Sequence, residues 1–429
     1  DYDIPYLYNR IGKVLGQGIQ NNLSPIKKCY YKERRDIVDI GGISHLDYML
    51  LYQTYTFDNK PSYSLDFICG EELDEGKVDY DGDLQDLYES DIDKFVRYNV
   101  QDTDLIFKLD DKLGFIDQNI TIAVTSCVPY EYALHSTLYQ EGRFLTETKK
   151  RNLVVPDKPD VDKDLPLIGA FVKESKAGLF EWVYDQDLAS LYPFIIVTGN
   201  MSPETKAGKI RNYIDVWKEK NEPVQYEINH PIFDASQKAP NPDKEINIIV
   251  DMENGESYRI KTMEHLYKFM EEKNLTLSAN GVFFSKDKMG IIPEIMLKTY
   301  KERMEFKELC NKALDRGDKE EAEYYERKQM AWKILLNSFY GVMGNPSFRF
   351  FDRDLAQSIT LTGQYVTKSG MDEVKRIHKK MFDDMSDEKV EQMSDKMREL
   401  FEDPHLTGDT DSVILTAMPI LYAKFGDDW

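Results

Sequence analysis

Apolar residues recur along the chain at changing periods, and those changes divide it into segments. Ile92, Phe95, Val96, Val100, Leu105 and Ile106 form an approximate helical stripe, which predicts a helix through SDIDKFVRYNVQDTDLIFKL. The preceding stretches GGISHLDYMLLYQTY and SYSLDFI mix helix-like and strand-like patterning. VPDKPDVDKDLP at 155–166, rich in Pro and Asp, reads as a linker. FEWVYDQDL at 180–188 predicts a strand, and Pro193 then falls in a turn or early helix. Residues 206–289 hold several short strand candidates and the proline-rich NHPIFDASQKAPNPDK, without evident chemistry. Two helices joined at Arg316-Gly317-Asp318 are expected over 293–345, and another from Leu355 to His378. Between them Phe348 to Phe351 is strand-like or irregular. Residues 383–403 read as one solvated amphipathic helix, and LTGDTDSVILTA as a β-hairpin turning around Asp409-Thr410. No internal repeat or long low-complexity tract is visible.

Composition adds bounds. At 429 residues the chain has room for two to four domains, and 27 tyrosines with 21 phenylalanines can supply several cores. A net charge of −22 excludes a uniformly basic nucleic-acid coat; a local basic groove in an acidic whole stays open. Cys29, Cys69, Cys127 and Cys310 are scattered, which suits a reducing compartment and excludes a zinc site of ordinary spacing. The longest apolar run, Leu191 to Val197, is far too short to span a membrane. No signal peptide is visible, and with Asp1 first and no terminating element at Trp429 both ends read as cut.

The acidic residues at predicted strand ends carry the first chemistry. Asp187 closes the strand in DLASLYP; Asp409 and Asp411 lie on the hairpin in TGDTDS, where a period of two would project them to one side. Phosphoryl transfer needs Mg²⁺, geometry and charge compensation rather than covalent help, and Mg²⁺ takes one or two carboxylates plus water and phosphates. Aspartates in a turn can equally serve the backbone, and Asp185 reads as a surface residue. Lys333, Asn337 and Gly341 recur at i, i+4 and i+8 on one helix, Arg303 and Lys307 at i, i+4 on the preceding one. An antiparallel helix pair could aim these three cations at a triphosphate. Alternatively Glu302, Glu305 and Glu308 offer Arg303 and Lys307 local salt-bridge partners.

Taken together and in order, these segments resemble family B DNA polymerases. DLASLYP resembles their motif A, KILLNSFYG motif B and TGDTDS motif C, while GNMSPET and GNPSFRFFD point toward the replicative polymerases of T-even-type bacteriophages. The resemblance implies an α+β, α/β multidomain chain. Its parts are a partial ribonuclease H-like 3′–5′ exonuclease domain (1–115), a connecting segment (116–160) and a palm of antiparallel sheet with helices (161–289, including an insertion, and 346–429). A two-helix fingers hairpin (290–345) completes it, with no thumb. It implies two Mg²⁺ ions, with Mn²⁺ as a substitute, held by Asp187, Asp411 and the Leu188 carbonyl, with Asp409 a weaker third carboxylate. Ser190, Leu191, Tyr192, Arg303, Lys307, Lys333 and Asn337 would bind the nucleotide, Tyr192 stacking beneath the sugar; Tyr340 and Gly341 would face the nascent base pair. YDIPYLYNR resembles the second exonuclease motif and YNVQD the third, which makes Asp3, Tyr98 and Asp102 exonuclease residues. Implied partners are primer-template DNA, dNTPs and either a sliding clamp or a complementary polymerase chain, in the cytoplasm (the host's, for a viral chain) and without a membrane.

Departures from the family pattern shape the functional expectation. The Asp-x-Glu pair that precedes the second exonuclease motif in the family has no room before Asp3, so no proofreading is expected of this chain alone. The family's basic motif and thumb would begin beyond Trp429. Phe194 stands where the family usually has serine, and LIGAF at 167–171 lacks a usual tyrosine. The leading expectation is template-directed DNA synthesis by a fragment lacking thumb and part of the exonuclease. The alternative is a catalytically silent or split-polymerase binding subunit that needs a partner chain; a stand-alone nuclease is disfavoured.

Overall fold

A computed structural model describes residues 3–56, 58–158, 167–211 and 242–426. Most of the linker expected at 155–166 and of the proline-rich stretch lies outside the described residues. The chain forms two compact units: Asp1–Thr146 with Glu302–Leu335, and Glu147–Lys301 with Leu336–Trp429.

The first unit is mostly helical, with one antiparallel hairpin, β1 (Cys29–Lys32) against β2 (Ile37–Ile40). The helix Ile92–Leu113 begins where the Asp91 carboxylate accepts from the Lys94 N–H (2.9 Å) and ends at Gly114, whose φ of 64° a Cβ would oppose. Its buried face shares only Leu105 with the expected apolar stripe. Leu105 and Leu109 pack inward, whereas Ile92, Val96, Val100 and Ile106 are exposed. The inward residues join Leu51, Tyr52, Tyr55, Phe115 and Ile122 in one core, to which Ala331 and Leu335 also belong. The turn between the long helices Ile291–Asp315 and Lys319–Met343 falls where the sequence places it. Gly317 takes φ +74° and the Asp318 carboxylate caps the second helix at the Glu321 N–H, 3.0 Å. Within this unit Phe306 packs on Trp332, ring centres 5.1 Å apart, and Cys310 on Ala322.

The second unit holds two antiparallel sheets. The five-stranded one, ordered β7-β6-β5-β9-β8, is built from β5 (Lys206–Ile210), β6 (Glu245–Met252), β7 (Ser257–Thr262), β8 (Leu275–Leu277) and β9 (Val282–Ser285). Alternating Ile246, Ile248 and Val250 of β6 turn inward with Ile210 and Ile260 against Leu266 and Phe269 of the helix Met263–Glu272. The strands expected in 206–289 are thus one layered element. The four-stranded sheet is ordered β3-β10-β11-β4, from β3 (Val172–Lys173), β4 (Val183–Asp187), β10 (His405–Asp409) and β11 (Ser412–Thr416). Met371 and Val374 of the helix Arg353–Asp383 pack with Val413 and Leu415 of β11. Phe348 to Phe351 is irregular rather than a strand. Residues 383–403 are not one solvated helix: Asp387–Gln392 and Asp395–Glu402 are separate, and Met397, Leu400 and Phe401 are buried. Ser394 divides them because its hydroxyl caps the second at the Met397 N–H, 3.2 Å.

One charged network anchors β10. Asp403 pairs with Lys173 at 2.9 Å and receives the His405 Nδ1 at 2.7 Å, with Lys176 at 3.7 Å and Lys375 at 3.8 Å. Desolvation alone would push the Asp403 carboxyl up; His405, Lys173, Lys375 and Lys176 overcome it and hold it well below the usual carboxylate range. Nearby His378, buried, is held below the ordinary imidazole range by burial and by His405, against a backbone hydrogen bond at Leu400. A histidine kept neutral in the fold takes up a proton more readily when unfolded, where it titrates near about 6.5. Stability from His378 is therefore present above that pH and is lost as pH falls below it. Thermal unfolding midpoints are expected to drop between about pH 7 and 5.5, and His378→Phe to flatten that slope.

All four cysteines are free. Among the described residues no helix is long and apolar enough to cross a membrane.

Candidate active site

Strand register brings the motif carboxylates together. In the β4–β11 pair Ser412 lies opposite Asp187, and the Leu188 N–H donates to the Asp411 carbonyl at 2.8 Å. Asp409 ends β10 opposite Ser412, while Asp411 lies in the turn. The period-two argument for Asp409 and Asp411 thus fails, because Thr410 between them takes a left-handed φ of 56°. That turn is held by the Thr410 N–H donating to the Phe171 carbonyl (2.8 Å) and by the Thr367 hydroxyl donating to the Thr410 carbonyl (3.0 Å). Ser190, at φ 59°, is left-handed as well. Two non-glycine residues in this region beside three aspartates mark backbone held in place by its surroundings.

The electrostatics are those of an uncompensated acidic site. Desolvation pushes the Asp411 carboxyl up, and the charges of Asp187, Asp409 and Asp185 add to the rise despite an opposing backbone hydrogen bond. Asp185, read from sequence as a bystander, sits two residues before Asp187 on β4 and acts on Asp411. Among the described residues no three His, Cys, Asp or Glu side chains are gathered closely enough to hold a metal alone. An all-oxygen set of two or three carboxylates plus a main-chain carbonyl nevertheless fits Mg²⁺, which keeps waters and takes phosphate oxygens for the rest.

Tyr192 lies in the first turn of the helix Leu191–Gly199. Its ring packs on Tyr340, centres 4.5 Å apart, and burial first, then Tyr340, Asp411 and Asp409, push its phenol up. Beneath it is Gly363, a residue that sequence reading passed over: a Cβ there would come 2.8 Å from the Tyr192 ring. The signal was present, since a glycine inside a helix costs about 1 kcal/mol against alanine and needs a packing reason. Gly363→Ala is expected to displace the Tyr192 ring from Tyr340 and to cost about 1–3 kcal/mol of stability by overpacking. Thermal melting beside tyrosine fluorescence checks this. Asn337 and Gly341 are exposed one turn apart, with open space where a Gly341 side chain would stand.

The cations belong to the other unit. Arg303 is half-buried and Lys307 exposed, and two of the three glutamates that could have neutralised them are engaged elsewhere. Glu302 accepts from the Trp332 Nε1–H at 2.7 Å and Glu308 pairs with Lys312 at 2.6 Å. Among the described residues no carboxylate pairs with Arg303. Lys333 is half-buried on the following helix.

The exonuclease candidates are only partly assembled. Tyr98 and Asp102 lie one turn apart on the helix Ile92–Leu113, as their spacing requires. Lys77, which sequence reading did not single out, bridges them, its Nζ 2.7 Å from Asp102 Oδ2 and 3.2 Å from the Tyr98 hydroxyl. Burial works against the Lys77 charge, but Asp102 and Tyr98 outweigh it and raise its pKa. Asp3 is exposed in the first turn of the helix Asp3–Leu15 and, among the described residues, makes no hydrogen bond or ion pair with Tyr98 or Asp102.

The family model described as DNA polymerase family B matches residues 137–420. The chain belongs to that family. A DNA-directed DNA polymerase of Escherichia phage RB69 is 31% identical over 376 residues, covering 85% of this chain and 41% of its own length. The DNA-directed DNA polymerase of Enterobacteria phage T4 is 27% identical, with the same coverages. The chain thus spans about two fifths of these curated relatives. Its fold is similar to that of a family B DNA polymerase from Pyrobaculum calidifontis, with a TM-score of 0.59 at 18% identity over 99% of this chain and 46% of that one. The family model's span takes in Asp187, Asp409 and Asp411 and leaves out Asp3, Tyr98 and Asp102.

Proposed function

We propose that this chain carries the nucleotidyl-transfer centre of a DNA-directed DNA polymerase, extending a primer 3′-hydroxyl with dNTPs. The observation that carries the reading is the junction of Asp187 and Asp411 through the β4–β11 register, with Asp411 left in an uncompensated acidic environment. In this reading the four-stranded sheet and its helices form the palm, and the long helices over 290–345 the fingers. Asp187, Asp411 and the Leu188 carbonyl would hold Mg²⁺, with Asp409 as an auxiliary carboxylate. When bound, two such ions offset the charge of the attacking oxygen and of the leaving pyrophosphate.

The remaining work is positioning. Tyr192, packed against Tyr340 and close to Gly363, would serve as the floor for the sugar and exclude a 2′-hydroxyl. Ser190 and Leu191 set the backbone turn that carries it, Ser190 through its left-handed φ. Arg303, Lys307 and Lys333 would bind the triphosphate, arginine as a two-pronged fork and lysine as point charges. Asn337, Tyr340 and Gly341 would line the nascent base pair. Proofreading is not part of the reading. Primer extension with Mg²⁺ and dNTPs tests it. Extension abolished by Asp411→Asn supports it; a wild-type chain that binds primer-template without extending it would favour a binding subunit that needs a second chain.

A further inference from the structure

Gln329 holds Arg303 in a way that has a chemical purpose. Its side chain is buried to 93%, and its Oε1 accepts from the Arg303 Nε–H at 3.3 Å while its Nε2 donates to Glu326 Oε1 at 2.7 Å. A guanidinium has one Nε–H and two terminal NH₂ groups. With Nε engaged, both terminal groups stay available as a fork for two oxygens of one phosphate. Glutamine is the side chain that does this without cancelling the charge. A glutamate in the same place would accept the same hydrogen bond and neutralise Arg303, and Glu326, one turn away, is turned toward Gln329 instead. Lys333 follows Gln329 by four residues on the same helix face.

We propose that Gln329 is a positioning residue for Arg303, presenting its guanidinium uncompensated and edge-on to the triphosphate of the incoming nucleotide. The inference rests on the polymerase reading and deepens it. Its ligand is a polyphosphate, and the probes are dNTP in primer extension and inorganic tripolyphosphate in calorimetric titration.

Gln329→Met removes the acceptor at nearly constant volume, and Gln329→Glu keeps the acceptor but adds a charge. Both are expected to raise the KM for dNTP while kcat changes less than threefold, about tenfold for methionine and more for glutamate, since a charge-assisted hydrogen bond is lost in one and the cation itself in the other. Tripolyphosphate affinity should fall in the same order. In the Arg303→Lys background, which lacks the Nε–H, Gln329→Met should add nothing further. KM and tripolyphosphate affinity within twofold of wild type in both position-329 variants, or full additivity with Arg303→Lys, would overturn the proposal. Melting curves check folding. Should both position-329 chains be unfolded, Arg303→Lys decides: an unchanged KM there overturns the proposal, and a raised one supports it. A wild-type chain that neither extends a primer nor binds tripolyphosphate would fail the polymerase reading itself, whereas wild-type binding matched by every variant would fail only this inference.

Discussion

Asp411→Asn is expected to lower primer extension by about 10³-fold or more while leaving the melting temperature unchanged or slightly raised. The two halves of that expectation have one cause. Asp411 sits where desolvation and the charges of Asp187, Asp409 and Asp185 all disfavour its ionised form. That disfavoured charge is a cost to the fold, and removing it relieves the cost. The same charge is what would hold the proposed divalent cations, which a neutral amide of the same shape binds far less well. A simple packing role would predict the opposite pair of results, lost stability with partly retained activity. Asp187→Asn should behave like Asp411→Asn. Asp185→Asn is the internal control: it acts on Asp411 only through space, so extension should stay within about threefold of wild type. Single-turnover extension with saturating Mg²⁺, beside calorimetric melting of each variant, checks all three. Activity kept in Asp411→Asn would remove the proposed metal site.

Local and tertiary properties of the chain divide along physical lines. Periodicity located the long helices and the hairpin because their apolar spacing and turn residues are local properties. Gly317 and Asp318 mark a helix turn by their own backbone preferences. The aspartates were legible because their residue order resembles a family motif. The geometry that joins Asp187 to Asp411 was not, since a cross-strand register between residues more than two hundred positions apart leaves no local trace. The misreadings have the same origin. The apolar stripe on Ile92–Leu113 is real, yet which residues turn inward depends on Tyr52 and Phe115, which the helix sequence does not contain. Residues 383–403 looked solvated because charge dominates their composition, while Met397, Leu400 and Phe401 find a core at helical spacing. Lys77 and Gln329 carry no motif at all. Each matters through a partner tens of residues away: Asp102 for the first, Arg303 for the second.

Asp403→Ala is expected to cost about 2 kcal/mol of stability, less than removing one member of a fully buried ion pair, because the carboxylate and its lysines are partly exposed. In a unit of this size that is about 4–8 °C in melting temperature. The carboxylate is the common partner of Lys173, Lys176, Lys375 and His405 Nδ1. Without it three lysines face one another across a partly buried space and His405, fully buried, loses its hydrogen bond. Asp403→Asn should be milder, since an amide oxygen still accepts from His405 while the charge is lost. Adding Lys173→Met to Asp403→Ala should return part of the loss by removing one uncompensated cation, a coupling that a double-mutant cycle isolates. The damage should also reach the chemistry. Lys173 lies on β3 opposite Gly408, and β10 runs from His405 to Asp409, so this network fixes the strand that ends at the acidic turn. Asp403→Ala should therefore lose extension activity on warming before the chain unfolds, whereas a variant weakened elsewhere to the same melting temperature should keep it. Activity in Asp403→Ala that tracked the melting curve alone would show that the anchor serves stability and nothing else.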